Sequence, residues 1–102
     1  MASSKEYLGF VLDQLSSLDD ISYRPMMGEY IIYFEGKIVG GIYDDRFLVK
    51  QTKASRAMLP GAPLEPPYEG AKEMILVDRI DDAGFLCALL CAMVGELPAP
   101  KK

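Results

Sequence analysis

The sequence of 102 residues contains no histidine. This absence removes the side chain that most often serves as a general base or a metal ligand. The glycines Gly36, Gly40 and Gly41 match neither the phosphate-binding loop of nucleotide hydrolases nor the dinucleotide-binding pattern. The serines lie at helix ends or in strands, and none occupies a nucleophile elbow. We therefore expect a protein that is not an enzyme and that uses no cofactor.

Basic residues are in the minority. The chain has 11 lysine and arginine residues against 15 aspartate and glutamate residues, which gives a net charge of −4. Binding to the phosphate backbone depends on Lys and Arg displacing counterions, so direct contact with nucleic acid is disfavoured. Lys50, Lys53 and Arg56 recur every third residue near a short helix predicted over residues 51–58. A solvated helix face explains them better than an anion site.

Long hydrophobic runs, targeting signals and clustered metal ligands are also missing. The longest uncharged apolar run covers residues 83–95 and is shorter than the about 20 residues that span a bilayer. No basic segment followed by an apolar run opens the chain, so we expect a cytoplasmic protein without membrane association. Cys87 and Cys91 lie four residues apart, a helical spacing that does not favour a disulfide, and we interpret both as small buried hydrophobes. No metal site is expected.

A β-meander over residues 23–50 organises the chain. Its strands are rich in β-branched and aromatic residues, and short acidic or glycine-containing loops separate them. Both faces of these strands are apolar, which predicts helices on one face and loops or another subunit on the other. The glycine pair in the middle strand predicts a bulge or a close approach to the backbone, by a packed helix or by a ligand. The segments are the corner Arg24–Gly28, the strands 29–34, 37–43 and 46–50, the loops Glu35-Gly36 and Asp44-Asp45, and the pair Gly40-Gly41.

The flanking segments complete an α+β domain that covers residues 1–102. An amphipathic helix is predicted over residues 3–18 with a Ser3–Glu6 capping box, and a final helix is capped by Asp81 or Asp82. Pro25 ends a short strand from residue 21 or places that strand at a sheet edge. Residues 59–70 are predicted to form an irregular loop in which Leu64 and Tyr68 pack back on the domain, and residues 72–79 contain a fifth, buried strand. The expected fold is an antiparallel sheet of about five strands, with a central meander, flanked by N-terminal and C-terminal helices.

The final helix carries no charge from residue 85 to residue 94. A helix that is hydrophobic all round must be buried all round, and a small domain can rarely enclose it alone. We therefore predict that part of this helix faces a second subunit or another protein, with a homodimer as the expected assembly. The interface residues in this interpretation are Phe85, Leu86, Leu89, Leu90 and Met93.

The corner before the meander is the candidate binding site. Arg24 is predicted either to form a structural clamp with Glu29 or Asp44, or to receive a carboxylate or phosphate from a partner. The adjacent methionines are interpreted as core filler or as an adaptable contact surface. The candidate binding residues are Arg24, Met26, Met27, Gly28, Tyr30, Tyr43 and Asp44.

Four segments resemble the N-terminal domain of the TfoX/Sxy family, namely residues 24–28, 33–37, 41–44 and 48–50. The resemblance implies an α+β fold similar to secretion-chaperone-like domains. It also implies a relation to regulators of natural competence, which act with the cyclic-AMP receptor protein rather than by catalysis. Met27 stands where many members carry phenylalanine. The chain ends near residue 102, so we expect a stand-alone domain without the helical C-terminal domain of those regulators.

Two functional hypotheses follow. The first is a small non-catalytic protein-interaction or regulatory module that works as a homodimer or with a protein partner. The resemblance makes the transcription machinery a candidate partner. The alternative is a small-molecule or anion-binding domain that uses the Arg24 corner, the Gly40-Gly41 strand and the proline-rich loop.

Overall fold

A computed structural model describes residues 5–26 and 29–97 of the chain. One helix precedes the meander and two helices follow it. In chain order, the elements are α1 (Lys5–Gln14), β1 (Ile21–Met26), β2 (Glu29–Phe34), β3 (Lys37–Ile42), β4 (Phe47–Val49), α2 (Lys53–Met58), β5 (Leu64–Glu65), β6 (Met74–Val77) and α3 (Ala83–Val94).

The strands form one antiparallel sheet in the order β1-β2-β3-β4-β6-β5. The first four strands are the predicted meander with β1 added at its start. Strand β6 then pairs with β4, which leaves β1 at one edge of the sheet and β5 at the other. The α+β fold and its antiparallel sheet are confirmed, with six strands in place of about five.

Two tight loops determine the register of the meander. Glu35 and Gly36 connect β2 to β3 with φ angles of 55° and 78°, and Asp44 and Asp45 connect β3 to β4 with φ angles of 54° and 56°. Consecutive residues with positive φ give a turn whose twist matches that of the paired strands, and glycine and aspartate tolerate that region better than most residues. Both loops therefore lie where the sequence predicted them.

The glycine pair in β3 accommodates the neighbouring strands rather than a helix or a ligand. The register between β2 and β3 shifts between Ile32 and Tyr33, which confirms an irregularity in this part of the sheet. A Cβ atom on Gly40 would lie 2.1 Å from the Leu48 carbonyl oxygen and 2.8 Å from the Cα of Val49. Strand β4 therefore makes the close approach at Gly40, whereas the Tyr30 carbonyl oxygen of β2 and the Tyr43 ring make it at Gly41.

The proline-rich segment differs from its prediction. Leu64 and Glu65 form β5, a strand of two residues that pairs with β6 and that the sequence did not predict. Arg46 in the β3–β4 connection forms an ion pair with Glu65. The side chains of Leu64 and Tyr68 are 45% and 62% exposed, so the expectation that they pack back on the domain is wrong.

Helices α1 and α3 cover one face of the sheet and form the core with it. The opposite face is buried within the chain at Tyr43 and Leu48, whereas Ile38 on that face is 37% exposed. Helix α1 contributes the predicted stripe of Leu8, Val11 and its neighbour Leu15, although it ends at Gln14 rather than near residue 18. The Ser3 half of the predicted capping box lies outside the described residues. The sheet side of the core consists of Ile32, Phe34, Val39, Ile42, Phe47, Val49, Ile75 and Val77.

The N-terminal cap of α3 gives a first testable prediction. The Asp82 carboxylate accepts a hydrogen bond from the Phe85 amide at 3.1 Å, which confirms one of the two predicted caps. We expect Asp82→Ala to lower the free energy of unfolding by about 1 kcal/mol, the usual cost of losing such a cap. Urea denaturation measures the change. Asp81→Ala is the matched control, and an equal loss in that variant would show that the effect does not come from capping.

Candidate functional site

Strand β1 is an exposed edge. Strand β1 pairs antiparallel with β2, and just before β1 the Glu35 amide donates a hydrogen bond to the Asp20 carbonyl at 3.1 Å. Asp20 is therefore a hydrogen-bonded position, and Ser22, Arg24 and Met26 follow it at every second residue. In an antiparallel pair the hydrogen-bonded positions alternate, so the even-numbered residues of β1 direct their backbone groups towards β2. The backbone groups of Ile21, Tyr23 and Pro25 therefore point to the free side. Pro25 fits there because the amide that it lacks would face solvent.

The structure divides the predicted corner site between the two faces of the sheet. Tyr30 packs against the core on the helix-covered face, where its ring meets Tyr23 edge-on with centroids 5.9 Å apart. Side chains alternate along a strand, so Arg24 and Met26 lie on the other face. Met27 and Gly28 lie outside the described residues. The candidate residues that are described thus form no single pocket.

Arg24 is exposed and forms no ion pair with Glu29 or Asp44 in the described part of the chain. The Glu29 carboxylate instead accepts a hydrogen bond from the Asp44 amide, with distances of 3.1 and 3.2 Å to its two oxygens. This contact ties the β3–β4 turn to the start of β2. The predicted arginine clamp is therefore wrong, and an acidic side chain bound to a turn amide takes its place.

Tyr43 directly follows β3, and only 7% of its surface is exposed. A Cβ atom on Gly41 would lie 2.6 Å from a ring carbon of Tyr43, so the ring occupies space that only a glycine leaves open. Burial raises the pKa of Tyr43, and its proximity to Tyr68 and Glu29 raises it further. The phenol consequently stays protonated at neutral pH and can donate a hydrogen bond.

The predicted interface on α3 is buried inside the chain itself. Leu86, Leu89, Leu90 and Met93 each have no exposed surface, and the guanidinium of Arg79 lies 4.2 Å from the centroid of the half-buried Phe85 ring. The four fully buried residues cannot serve as a docking surface while the domain is folded, so the interface prediction is wrong for them. The large side chains of α3 are buried within the chain because the exposed positions of the helix carry small side chains, namely Gly84, Ala88, Cys91 and Ala92.

The thiols and carboxylates form no metal centre in the described residues. Cys87 is half-buried and lies 3.2 Å from the Ser17 hydroxyl, whereas Cys91 is exposed, which corrects its interpretation as a buried hydrophobe. Both thiols are free. Across residues 5–26 and 29–97, no three cysteine or acidic side chains come close enough to hold a metal ion. Nor does any helix in these ranges have the length and apolarity that crossing a lipid bilayer requires.

A groove of about 620 Å³ opens on the sheet face that α1 and α3 leave uncovered. Strands β4 and β6 pair, and Val49 of β4 lies opposite Ile75 of β6 with both side chains in the core. Because side chains alternate along a strand, Lys50, which follows Val49, and Met74, which precedes Ile75, point away from the core. Helix α2 and residues 67–73 form the remaining walls. We call this feature the basic groove, and its principal lining residues are Tyr43, Lys50, Arg56, Tyr68, Lys72 and Met74.

Sequence reasoning found only part of this groove. The spacing of Lys50, Lys53 and Arg56 marked a small positive patch, and Lys50 and Arg56 do line the groove. Lys72 and Tyr68 were missed because they come from a loop far along the chain. The sequence did show that one predicted strand ends at Lys50 and that another begins after Lys72. These two lysines come together only if the two strands are neighbours in the sheet, which the sequence did not reveal.

Comparison with known proteins places the chain in a family. The family model of the TfoX N-terminal domain matches residues 13–82, which run from the end of α1 to the N-terminal cap of α3. An uncharacterised 12.7 kDa protein encoded in the trpE 5′ region of Spirochaeta aurantia is 35% identical over 102 residues. The similarity covers 99% of this chain and 89% of that protein, so it includes α3. No solved structure matches significantly. The chain therefore belongs to the TfoX N-terminal domain family.

Proposed function

We propose that the chain is a non-catalytic protein-interaction module with a regulatory role, and that it binds through the free edge of β1. The observation that carries this proposal is the exposure of β1, in which every residue after Ile21 is exposed. Membership of the TfoX N-terminal family supports a link to transcription regulation. The proposed setting is the cytoplasm, with the transcription machinery as a candidate partner beyond self-association.

The chemistry of the β1 edge suits the addition of another strand. Ile21 and Tyr23 offer outward amides, and Ile21, Tyr23 and Pro25 offer outward carbonyls, so an extended segment can pair with them by main-chain hydrogen bonds. Tyr23 and Met26 are 48% and 43% exposed and lie on opposite faces of the strand. They supply side-chain contacts on both sides of an added strand.

The occupant that we propose is β1 of a second copy of the chain. Two β1 strands related by a twofold axis at Tyr23 would run antiparallel, so the two Tyr23 residues would exchange their backbone hydrogen bonds. Each Ile21 amide would then face the Pro25 carbonyl of the other copy. Arg24 is the one charged residue of β1, so electrostatic repulsion along this edge is weak although the whole chain carries a net charge of −4.

Tyr23→Pro tests this edge. The substitution removes an amide that points away from β2, so the fold should persist while the intermolecular bonds are lost. We expect light scattering over a dilution series to show a dimer of the native chain. The dissociation constant of Tyr23→Pro should be at least about tenfold higher, because a symmetric dimer loses the bond twice.

Tyr23→Ala provides the control, since it keeps the amide and removes the ring. A smaller effect in this variant than in Tyr23→Pro identifies the backbone as the binding element. Circular dichroism of both variants establishes that the sheet is intact. A native chain that is monomeric at every concentration, or a Tyr23→Pro variant that associates as well as the native chain, would contradict pairing through β1.

A further inference from the structure

We propose that the basic groove binds a small molecule in which a flat apolar ring carries a carboxylate or phosphate group. The groove is independent of the β1 edge, because it is lined by residues of β3, β6 and α2, by the residues that follow β3 and β4, and by the segment before β6. Its volume of about 620 Å³ falls within the range of about 300–1,000 Å³ that is typical of small-molecule sites.

The charge of the groove selects an anion. Lys50, Arg56 and Lys72 line it, against the single carboxylate of Glu73. The ion pairs among the described residues are Arg46–Glu65 and Arg79–Asp82, so none of the three cations in the groove is paired there. A local excess of positive charge is unexpected on a chain with a net charge of −4. A concave surface with this excess concentrates anions at its mouth.

The three cations of the groove do not form one solvated face of a helix, because they come from different parts of the chain. Lys53 and Arg56 are both exposed residues of α2, but only Arg56 lines the groove. Lys50 is half-buried and directly follows β4. The Gln51 side-chain amide donates to the Glu73 carbonyl at 2.9 Å and so ties the Lys72 segment to the start of α2. Cations from three parts of the chain are thereby held around one groove.

The aromatic residues select a flat ring. Tyr68 is 62% exposed and follows Pro66 and Pro67, whose rings restrict the backbone and reduce the entropy lost when a ligand packs on the phenol. Tyr43 is nearly buried and presents its phenol on the same side, where it can donate a hydrogen bond. Ile38 and Met74 complete an apolar lining beside the cations. A ligand with one ring and one anionic group would use both parts of the groove.

The experiment compares four probes that separate the ring from the charge. Phenyl phosphate and benzoate carry both features, phenol carries the ring alone, and inorganic phosphate carries the charge alone. Binding is followed on the native chain by amide chemical shifts in NMR titrations. We expect phenyl phosphate or benzoate, or both, to bind more tightly than phenol and phosphate and to shift residues of the groove. The stronger of the two identifies phosphate or carboxylate as the preferred group.

Arg56→Ala is expected to weaken binding of the preferred probe about tenfold or more, because it removes a charge-assisted hydrogen-bond donor. Lys53→Ala, on the same helix and outside the groove, should bind as the native chain does. Equal losses in both variants would reduce the effect to general electrostatic attraction and overturn the proposal. Binding of inorganic phosphate alone, or no binding of either ring-bearing anion with a dissociation constant below about 10 mM, would also overturn it.

Discussion

Leu90→Glu is expected to unfold the chain. The Leu90 side chain has no exposed surface and belongs to the core that α3 forms with α1 and the sheet. The substitution loses buried apolar contacts and places a carboxyl group where no polar partner compensates it, at a combined cost of about 5 kcal/mol or more. Domains of this size are stable by about 5–15 kcal/mol in total. Circular dichroism and chemical denaturation will measure the loss.

Cys91→Glu introduces the same side chain at the next position of α3 and serves as the matched control. Cys91 is exposed, so a glutamate carboxylate at this position stays in water, and the free energy of unfolding should change by less than about 1 kcal/mol. The pair of variants separates burial within the chain from burial at an interface. A folded Leu90→Glu protein that had merely lost an oligomeric state would restore α3 as an interface helix.

Gly40→Ala is expected to have the second largest effect. The added methyl group would lie 2.1 Å from the Leu48 carbonyl oxygen, and both this atom and the Cα of Val49 belong to the backbone of β4. Neither can rotate away, so β3 and β4 must separate and lose hydrogen bonds and core contacts. We expect a loss of about 3 kcal/mol or more in the free energy of unfolding, measured by urea denaturation.

Gly9→Ala is the control for this substitution. A Cβ atom on Gly9 would meet no atom within 4 Å apart from its chain neighbours and the backbone of its own helix, and the residue lies inside α1. Alanine is a better helix former than glycine, so this variant should be more stable than the native chain by about 1 kcal/mol. A Gly40→Ala protein with unchanged stability would mean that β3 and β4 do not approach each other as the structure shows.

Local patterns in the sequence were sufficient for most of the fold. The meander could be predicted because its loops, Glu35-Gly36 and Asp44-Asp45, contain residues that accept positive φ between strands of strong β propensity. Asp82 was recognisable as a cap because capping depends on residues within one turn of the helix. Strand β5 was missed because two residues between prolines carry no periodicity, and its pairing depends on β6.

The errors on α3 and on the site have physical causes of their own. The hydrophobic pattern of α3 counts Ala88 and Cys91 as apolar, although such small side chains lose little by facing water, so the helix needs no external partner. The Arg24 clamp was wrong because Arg24 remains exposed without an ion pair in the described residues, and Glu29 accepts a hydrogen bond from the Asp44 amide. The basic groove depends on the pairing of β4 with β6, and no local pattern reveals which distant strands become neighbours.

The unequal edges of the sheet limit how many copies of the chain can associate. Strand β5 has two residues, with Pro63 before it and Pro66 after it, so it offers almost no template for a further strand. Growth by strand addition can therefore proceed from β1 alone. A molecule with one sheet edge that can accept a strand can form a dimer but not a fibre, because the dimer uses that edge in both copies. Association by strand pairing should therefore stop at two copies even at high concentration.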